Sequence, residues 1–288
     1  MMRHLARMSA ATVVIVACMF LPFLPGGYDA LAVTLSTMSQ LFGITGLLLV
    51  PLGAIWLTYE FTLRAPNAGT WRGKDIGFWC ALASIGAATV VALIVSFGAF
   101  INIGPSLGLG MIALWAYCAV RFAGKLKAMA IAEVRTFNPA PLYLVVVPIV
   151  AAAFKFTLVA PAVEFSRSRA IRNSARLIAD VEHYRAANGR YPVSLLSVWE
   201  DYRPGIIGIE AYRYEPSGDG YNLFFEQFSD RFGTREFVMY NPRDQHAMTS
   251  HKMDRLQLSP QELVLEQTRG HYAVHDASQP HWKYFWFD

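Results

Sequence analysis

Residues 141–195 read PLYLVVVPIVAAAFKFTLVAPAVEFSRSRAIRNSARLIADVEHYRAANGRYPVSL, and three regimes follow one another along that stretch. From Pro141 to Val163 it is almost wholly apolar, over the length of roughly 20 residues that a helix needs to cross a bilayer. Beyond Glu164 the apolar residues Ile171, Ile178, Val181 and Tyr184, with Ala175 and Leu177 beside them, recur near helical spacing. Arg169, Arg172, Arg176, Asp180 and His183 occupy the rest, which is the pattern of a helix with one buried face. Arg176 and Asp180 stand four apart and predict an exposed i,i+4 pair. At Asn188-Gly189 the helix should end, because Gly can take the left-handed position past the last turn and Pro192 bars continuation. A helix thus leaves a membrane and enters a water-exposed domain.

Working toward the N-terminus, four more runs qualify as spans: Met8–Leu24, Thr34–Thr58, Ile76–Phe100 and Ile103–Val120. With Pro141–Val163 they make five. The turns at Pro25–Asp29 and Ile101–Pro105 are a few residues long, so the helices they join must be antiparallel neighbours. The composition agrees: 54% of the 288 residues are hydrophobic and only 16% are charged, against about 25% charged in an ordinary soluble domain. The sequence therefore divides into helices 1 to 4 with their loops (1–140), helix 5 (141–163) and a terminal domain (164–288).

Charge is segregated in the same way. Residues 1–163 hold 10 of the 25 Lys/Arg and 4 of the 21 Asp/Glu. This excess lies between apolar runs, where it reads as a membrane-orientation signal rather than a nucleic-acid footprint, so nucleic-acid binding is excluded. Arg3 and Arg7, then Arg64, Arg72 and Lys74, then Arg121, Lys125, Lys127 and Arg135 fall on one side, while the two alternate loops have no Lys or Arg. The positive-inside rule places the N-terminus in the cytoplasm and, after five crossings, the terminal domain outside. A cleaved signal peptide is the alternative for the first run, given the A-x-A pattern at Ala30-Leu31-Ala32. Its apolar stretch is longer than the usual 7–15 residues or so of such peptides, which favours an uncleaved helix.

Few groups inside the runs carry chemistry. Lys155 is the lone charge within any of them, close enough to the helix end for its stem to snorkel outward. Ser36, Thr37, Ser39 and Gln40 gather in helix two, where hydroxyls and amides bond neighbouring helices. Gly104 and Gly108 form a small-x-x-x-small pattern, and Pro51, Pro148 and Pro161 are candidate kinks. Cys18, Cys80 and Cys118 all lie in spans, so the terminal domain has no disulfide and must rest on a hydrophobic core.

Beyond Pro192, Ser194 is a candidate cap for a short helix through Leu195, Leu196 and Val198. Ala211–Glu215 and Tyr221–Glu226 flank the turn cluster Pro216–Gly220 and read as a β-hairpin. Arg235–Tyr240 and Trp282–Phe287 read as further strands. Ser259-Pro-Gln-Glu262 is a helix-start signature.

A membrane helix running into an amphipathic helix, then Tyr184 followed by Asn188-Gly189-Arg190-Tyr191-Pro192 and Leu195, then a hairpin with Gly218-Asp219-Gly220-Tyr221, resembles the type IV pilin and type II secretion pseudopilin domains over roughly residues 141–228. The resemblance implies a long helix packed on a small antiparallel sheet, and a structural or protein-binding role in an envelope or secretion assembly rather than a chemistry. The prepilin leader of that family has no counterpart before helix five, and four further crossings anchor the domain, so the resemblance does not extend to polymerisation.

Five of the seven histidines, His246, His251, His271, His275 and His281, fall near the end of the chain. His271 and His275 would face one way on a strand, and with His281 they form the best metal-ligand candidate, without the tight spacing of a known metal motif. Asp219, Asp230 and Asp244 invite comparison with calcium-binding pseudopilin loops but are not a dense oxygen run. Arg167, Arg169, Arg172 and Arg176 form a basic face just outside the bilayer, placed to touch lipid headgroups or anionic envelope polymers. Catalytic signatures are absent and no cofactor is implied. The expectation is an inner-membrane protein that presents a pilin-like domain to an envelope partner. The alternatives are a sensor or transport-associated subunit, and a metal-dependent envelope enzyme.

Overall fold

The computed structural model describes residues 2–62, 74–102, 104–131, 137–198, 201–217, 219–229, 235–246 and 274–287. Among the described residues, five helical stretches are long and apolar enough to cross a membrane: Met2–Phe23, Ala30–Thr62, Gly77–Ile101, Pro105–Gly124 and one within Ala140–Asn188. They fit a multi-pass membrane protein. The chain forms two compact units. The first comprises Met1–Phe20 and Thr34–Val159, the second Leu21–Val33 and Ala160–Asp288. The loop Leu21–Val33 after the first apolar stretch thus belongs to the C-terminal unit.

In the first unit the helices are α1 (Met2–Phe20), α2 (Ala30–Thr45), α3 (Val50–Thr62), α4 (Lys74–Asn102), α5 (Pro105–Ile131) and the first part of α6 (Ala140–Asn173). The second span is one apolar stretch interrupted by a 3-10 segment, Gly46–Leu49. Pro51 accounts for the interruption: it has no N–H to offer the Leu47 carbonyl, and the Val50 N–H bonds Leu47 instead, which tightens the turn. By contrast α6 runs without interruption through Pro148 and Pro161. Leu49, Val91 and Val95 form one core cluster, and Trp56, Ala81 and Leu126 another.

In the second unit α6 continues to Asn173 and α7 (Ala175–Asn188) follows after a one-residue break at Ser174. The break has a local cause. The Ser174 N–H is shared between the Ala170 and Ile171 carbonyls at 3.1 and 3.2 Å, and the Ser174 hydroxyl also donates to Ile171 at 2.7 Å, so a side chain competes for a ladder acceptor and tightens the turn. The Tyr212 hydroxyl adds a bond to the Ala170 carbonyl at 2.6 Å. Five strands follow: β1 (Arg213–Ser217), β2 (Gly220–Gln227), β3 (Arg235–Tyr240), β4 (His275–Asp276) and β5 (Trp282–Phe287), antiparallel in the order β1-β2-β3-β5-β4. Alternation along the strands sends Tyr221, Leu223, Phe225, Val238 and Trp282 into the core that holds Ile171, Leu177 and Val181 of the helices. Phe224, Phe237, Met239 and Phe285 form a second buried cluster on the opposite face.

The loop between α1 and α2 is bonded into this unit. Gly26 N–H donates to the Gly205 carbonyl, Ile207 N–H to Leu24, Gly208 N–H to Pro22 and Asp29 N–H to Ile207, all at 2.7–3.0 Å. Pro25 and Ile206 form the intervening antiparallel bridge. Phe23 packs on Phe228 at 5.7 Å between ring centroids. The loop that follows the first apolar stretch is thus part of the same compact unit as the strands.

Candidate functional site

The helix-closing motif is built as its residues suggest. Gly189 ends α7 at φ 70°, with its N–H on the Arg185 carbonyl at 2.8 Å, and the Asn188 amide donates to the Tyr184 carbonyl at 2.8 Å. Tyr191 turns back: Arg185 donates to its hydroxyl at 2.7 Å and lies over its ring, while its edge meets Tyr221 at 5.0 Å. Tyr214 donates to the Pro192 carbonyl at 2.8 Å, and Leu195 packs on the core. Ser194 makes no capping bond, because Leu195–Ser197 is a single 3-10 turn with few donors to satisfy. Val193 and Leu196, on either side of that inward step, are 74% and 78% exposed.

The basic face divides. Arg172 and Arg176 are exposed, and Arg176 stands 3.9 Å from Asp180 as the spacing predicts. Arg169 is half-buried. Arg167 is buried and does not belong to a headgroup-facing surface. Its Nε and Nη2 donate to Glu236 Oε1 at 2.9 and 2.7 Å, its Nη1 bonds Glu164, and its guanidinium lies 3.5 Å from the centre of the Tyr284 ring. Trp286 Nε1 donates to the other Glu236 oxygen at 2.9 Å. The cluster was hidden from sequence reading because its members come from α6, β3 and β5; strand register aligns Gln227, Glu236 and Trp286 in one row. Gln227 in turn donates to the Val163 carbonyl at 2.8 Å. A buried, multiply bonded ion pair holds helix to sheet and leaves no charge for a ligand.

Among the described residues no three His, Cys, Asp or Glu side chains converge as a metal group. His275 stacks on Tyr284 at 5.1 Å and meets the edge of Trp286 at 4.9 Å. His281, at φ 65°, lies with Nδ1 3.0 Å from Asp244 Oδ2. His271, His251, Asp230 and the Ser259 signature lie outside the described residues. Asp219 pairs with Arg243 at 3.4 Å. His246 is buried, its Nε2 donating to the His281 carbonyl at 3.0 Å, and desolvation followed by the nearby Lys283 charge pushes its pKa below the ordinary histidine value.

In the first unit Lys155 is buried on α6 at 5% exposure, so its stem does not simply snorkel out to solvent. It lies beside α2, since a Cβ on Gly43 would stand 3.5 Å from Lys155 Cβ. One turn away on α2, the buried Gln40 amide donates to Ser36 at 3.1 Å, and Ser36 donates to the Met19 carbonyl at 2.6 Å. The expected bonding of hydroxyls and amides between helices is present here.

A cavity of about 580 Å³ lies in the same unit. Trp56, Trp115, Phe122 and Leu126 furnish apolar wall, and its polar members are His4, Arg7 and Tyr143 together with Ser84 and Asn138. Both indoles are already engaged: Trp56 Nε1 donates to Glu60 at 3.0 Å and Trp115 Nε1 to Thr89 at 3.1 Å. Glu60 is buried, and its second oxygen accepts from the Asn138 backbone N–H at 3.2 Å. Tyr143 donates to the His4 carbonyl at 2.9 Å. Sequence offered one local signal for this arrangement, the Trp56–Glu60 i,i+4 spacing at the end of an apolar run; the cavity itself depends on residues of α1, α3, α4, α5 and α6, which are distant in sequence. No family model matches this chain, and neither the curated proteins nor the solved structures yield a match.

Proposed function

We propose that this chain is a protein of the cytoplasmic membrane, N-terminus inside, that holds a pilin-like domain on the outer face as a fixed docking platform for another envelope or secretion-type component. The observation that carries the reading is the double attachment of the domain. It is reached through α6 and is also bonded to the α1–α2 loop at four backbone positions. A domain tied at both points is suited to presenting a surface, and not to leaving the bilayer as a filament subunit. Val193 and Leu196 give that surface an apolar tip, held in place by the Gly189 and Pro192 closure; neighbouring exposed apolar side chains on a rigid loop are the usual material of a contact.

Photo-crosslinking from position 196 in intact cells tests the role. The expected result is one dominant adduct, shared with position 193 and missing from exposed position 172 on α6. Absence of a position-specific adduct removes the platform reading. A reporter enzyme fused after Asp288 tests orientation, and activity confined to the cytosol refutes it.

A second reading, a sensor, is favoured by α2: the same helix begins next to the loop bonded to the domain and passes the buried Lys155 at Gly43. Lys155→Met would then change the crosslinking pattern at position 196 without lowering the amount of inserted protein, and an unchanged pattern removes this alternative.

A further inference from the structure

The cavity of the first unit plays no part in the platform role, and its chemistry points to a ligand of its own. A volume of about 580 Å³ is several times the roughly 150 Å³ that an apolar cavity has been observed to keep dry and empty. Leaving it vacant would forfeit dispersion contacts along every wall. Away from His4, Arg7 and Tyr143 water is a poor occupant: the two indole donors bond Glu60 and Thr89, the Ser84 hydroxyl donates to the Cys80 carbonyl at 2.7 Å and Asn138 Oδ1 accepts from the Ala140 N–H at 3.0 Å, whereas a buried water needs two to four polar partners. A methylene group fills about as much space as a water molecule, about 30 Å³, so the cavity has room for an acyl chain of roughly twenty carbons.

The polar members are arranged asymmetrically. Arg7 lines the cavity and is exposed, so the cavity meets the surface at a guanidinium, with His4 one turn earlier on α1. No carboxylate is among the described residues that line the cavity, and Glu60, which bonds the lining residues Trp56 and Asn138, is engaged by the indole and the Asn138 N–H. A guanidinium offers paired donors to a phosphate. We propose that the cavity binds one acyl chain of an anionic phospholipid, with the lipid phosphate on Arg7.

The test uses the full-length protein, purified in detergent and mixed with phosphatidylglycerol or phosphatidylcholine of identical chains, with bound lipid counted by native mass spectrometry. Wild type should retain one phosphatidylglycerol per chain, and phosphatidylcholine at least tenfold more weakly. Arg7→Gln, a change at an exposed position, should bring phosphatidylglycerol down to the phosphatidylcholine level. Ala88→Phe, which narrows the cavity, should reduce retention of both. In wild type, chains brominated near the methyl end should quench tryptophan fluorescence, and the quenching should be lost on replacing Trp56 and Trp115 by Phe. Equal retention of the two lipids by wild type overturns the proposal, as does a preference that survives Arg7→Gln, or an absence of quenching.

Discussion

Arg167 and Glu236 show what a single residue pair does in this protein and why sequence could not name it. Arg167 sits in a row of arginines whose spacing suggests one solvated face, and its partner lies 69 residues away, so nothing local distinguishes it from exposed Arg172. Gly189 is the opposite case: Asn-Gly with a proline three residues on states its conformation in the sequence, and φ is 70°. Because Arg167 and Glu236 are 5% and 1% exposed, Arg167→Met strands a carboxylate and should cost about 3–5 kcal/mol. Arg167→Met combined with Glu236→Leu should cost clearly less, leaving mainly the Trp286 N–H without its acceptor, at about 1–3 kcal/mol. Denaturant unfolding of the full chain in detergent, followed by the near-ultraviolet signal of the aromatic sheet, measures both; equal losses would show that the ion pair is not what joins helix to sheet.

Titration acts at the same scale. Burial lowers the pKa of His246, so the folded domain holds it neutral where the unfolded chain would protonate it. Its contribution to stability is complete above the unfolded value near 6.5 and is lost as pH falls through the lower folded value. Burial raises Tyr212, Tyr214, Tyr221 and Tyr240, whose contribution is complete below pH 10 and lost above it. Thermal midpoints of the C-terminal unit should therefore decline on both sides of a plateau between about pH 6.5 and 10. His246→Gln should flatten the acid limb alone, and an unchanged acid limb would exclude His246 as its source.

Elements were legible where their periodicity is strong and hidden where packing sets their limits. Arg235–Tyr240 and Trp282–Phe287 form strands with the boundaries their alternation gives. β4 has only two residues, His275 and Asp276, and exists through its pairing with β5, which no local pattern encodes. Helix α6 passes the apolar boundary at Val163 and stops at Ser174, whose hydroxyl takes the Ile171 carbonyl. The two glycines of the Gly104/Gly108 pattern do different work. Gly104 takes φ +147 at the turn, whereas a Cβ on Gly108 would stand 2.9 Å from the Ser96 carbonyl oxygen and 3.0 Å from Phe100 Cα. Those are backbone atoms of α4 and cannot swing aside, so Gly108→Ala should pry α4 from α5 and cost about 1–3 kcal/mol. Gly110 has nothing within 4 Å of the same position, and Gly110→Ala should be neutral or slightly stabilising through helix propensity. Resistance of the folded protein to denaturing detergent separates the two; similar behaviour would mean that the helix pair is not held by close approach at Gly108.

At the scale of the whole molecule, crossing number and hydrogen bonding are each compatible with the proposed topology. The apolar runs give five spans, hence an even number of crossings between the α1–α2 loop and the terminal domain. The backbone bonds from Leu24 and Gly26 to Ile207 and Gly205 need those two segments on one face. Parity was readable from composition; the bonded loop was not, because Pro22–Asp29 and Pro204–Gly208 carry only the generic proline and glycine content of turns. The flanking bonds make Pro25 and Ile206 a non-hydrogen-bonded antiparallel pair, whose Cα atoms stand about 4.5 Å apart, within the span a disulfide tolerates. Pro25→Cys with Ile206→Cys, in a chain whose Cys18, Cys80 and Cys118 are replaced by Ala, should therefore oxidise spontaneously in cells and resist thiol alkylation until reduced. Pro25→Cys with Leu196→Cys serves as the unpaired control. The disulfide requires both the loop contact and an oxidising compartment, since the cytosol keeps thiols reduced. If both cysteines stay reduced in cells but link in the purified protein on adding oxidant, the contact stands and the outward orientation falls. If they fail to link in either setting, the loop does not brace the domain, and the platform reading loses its main support.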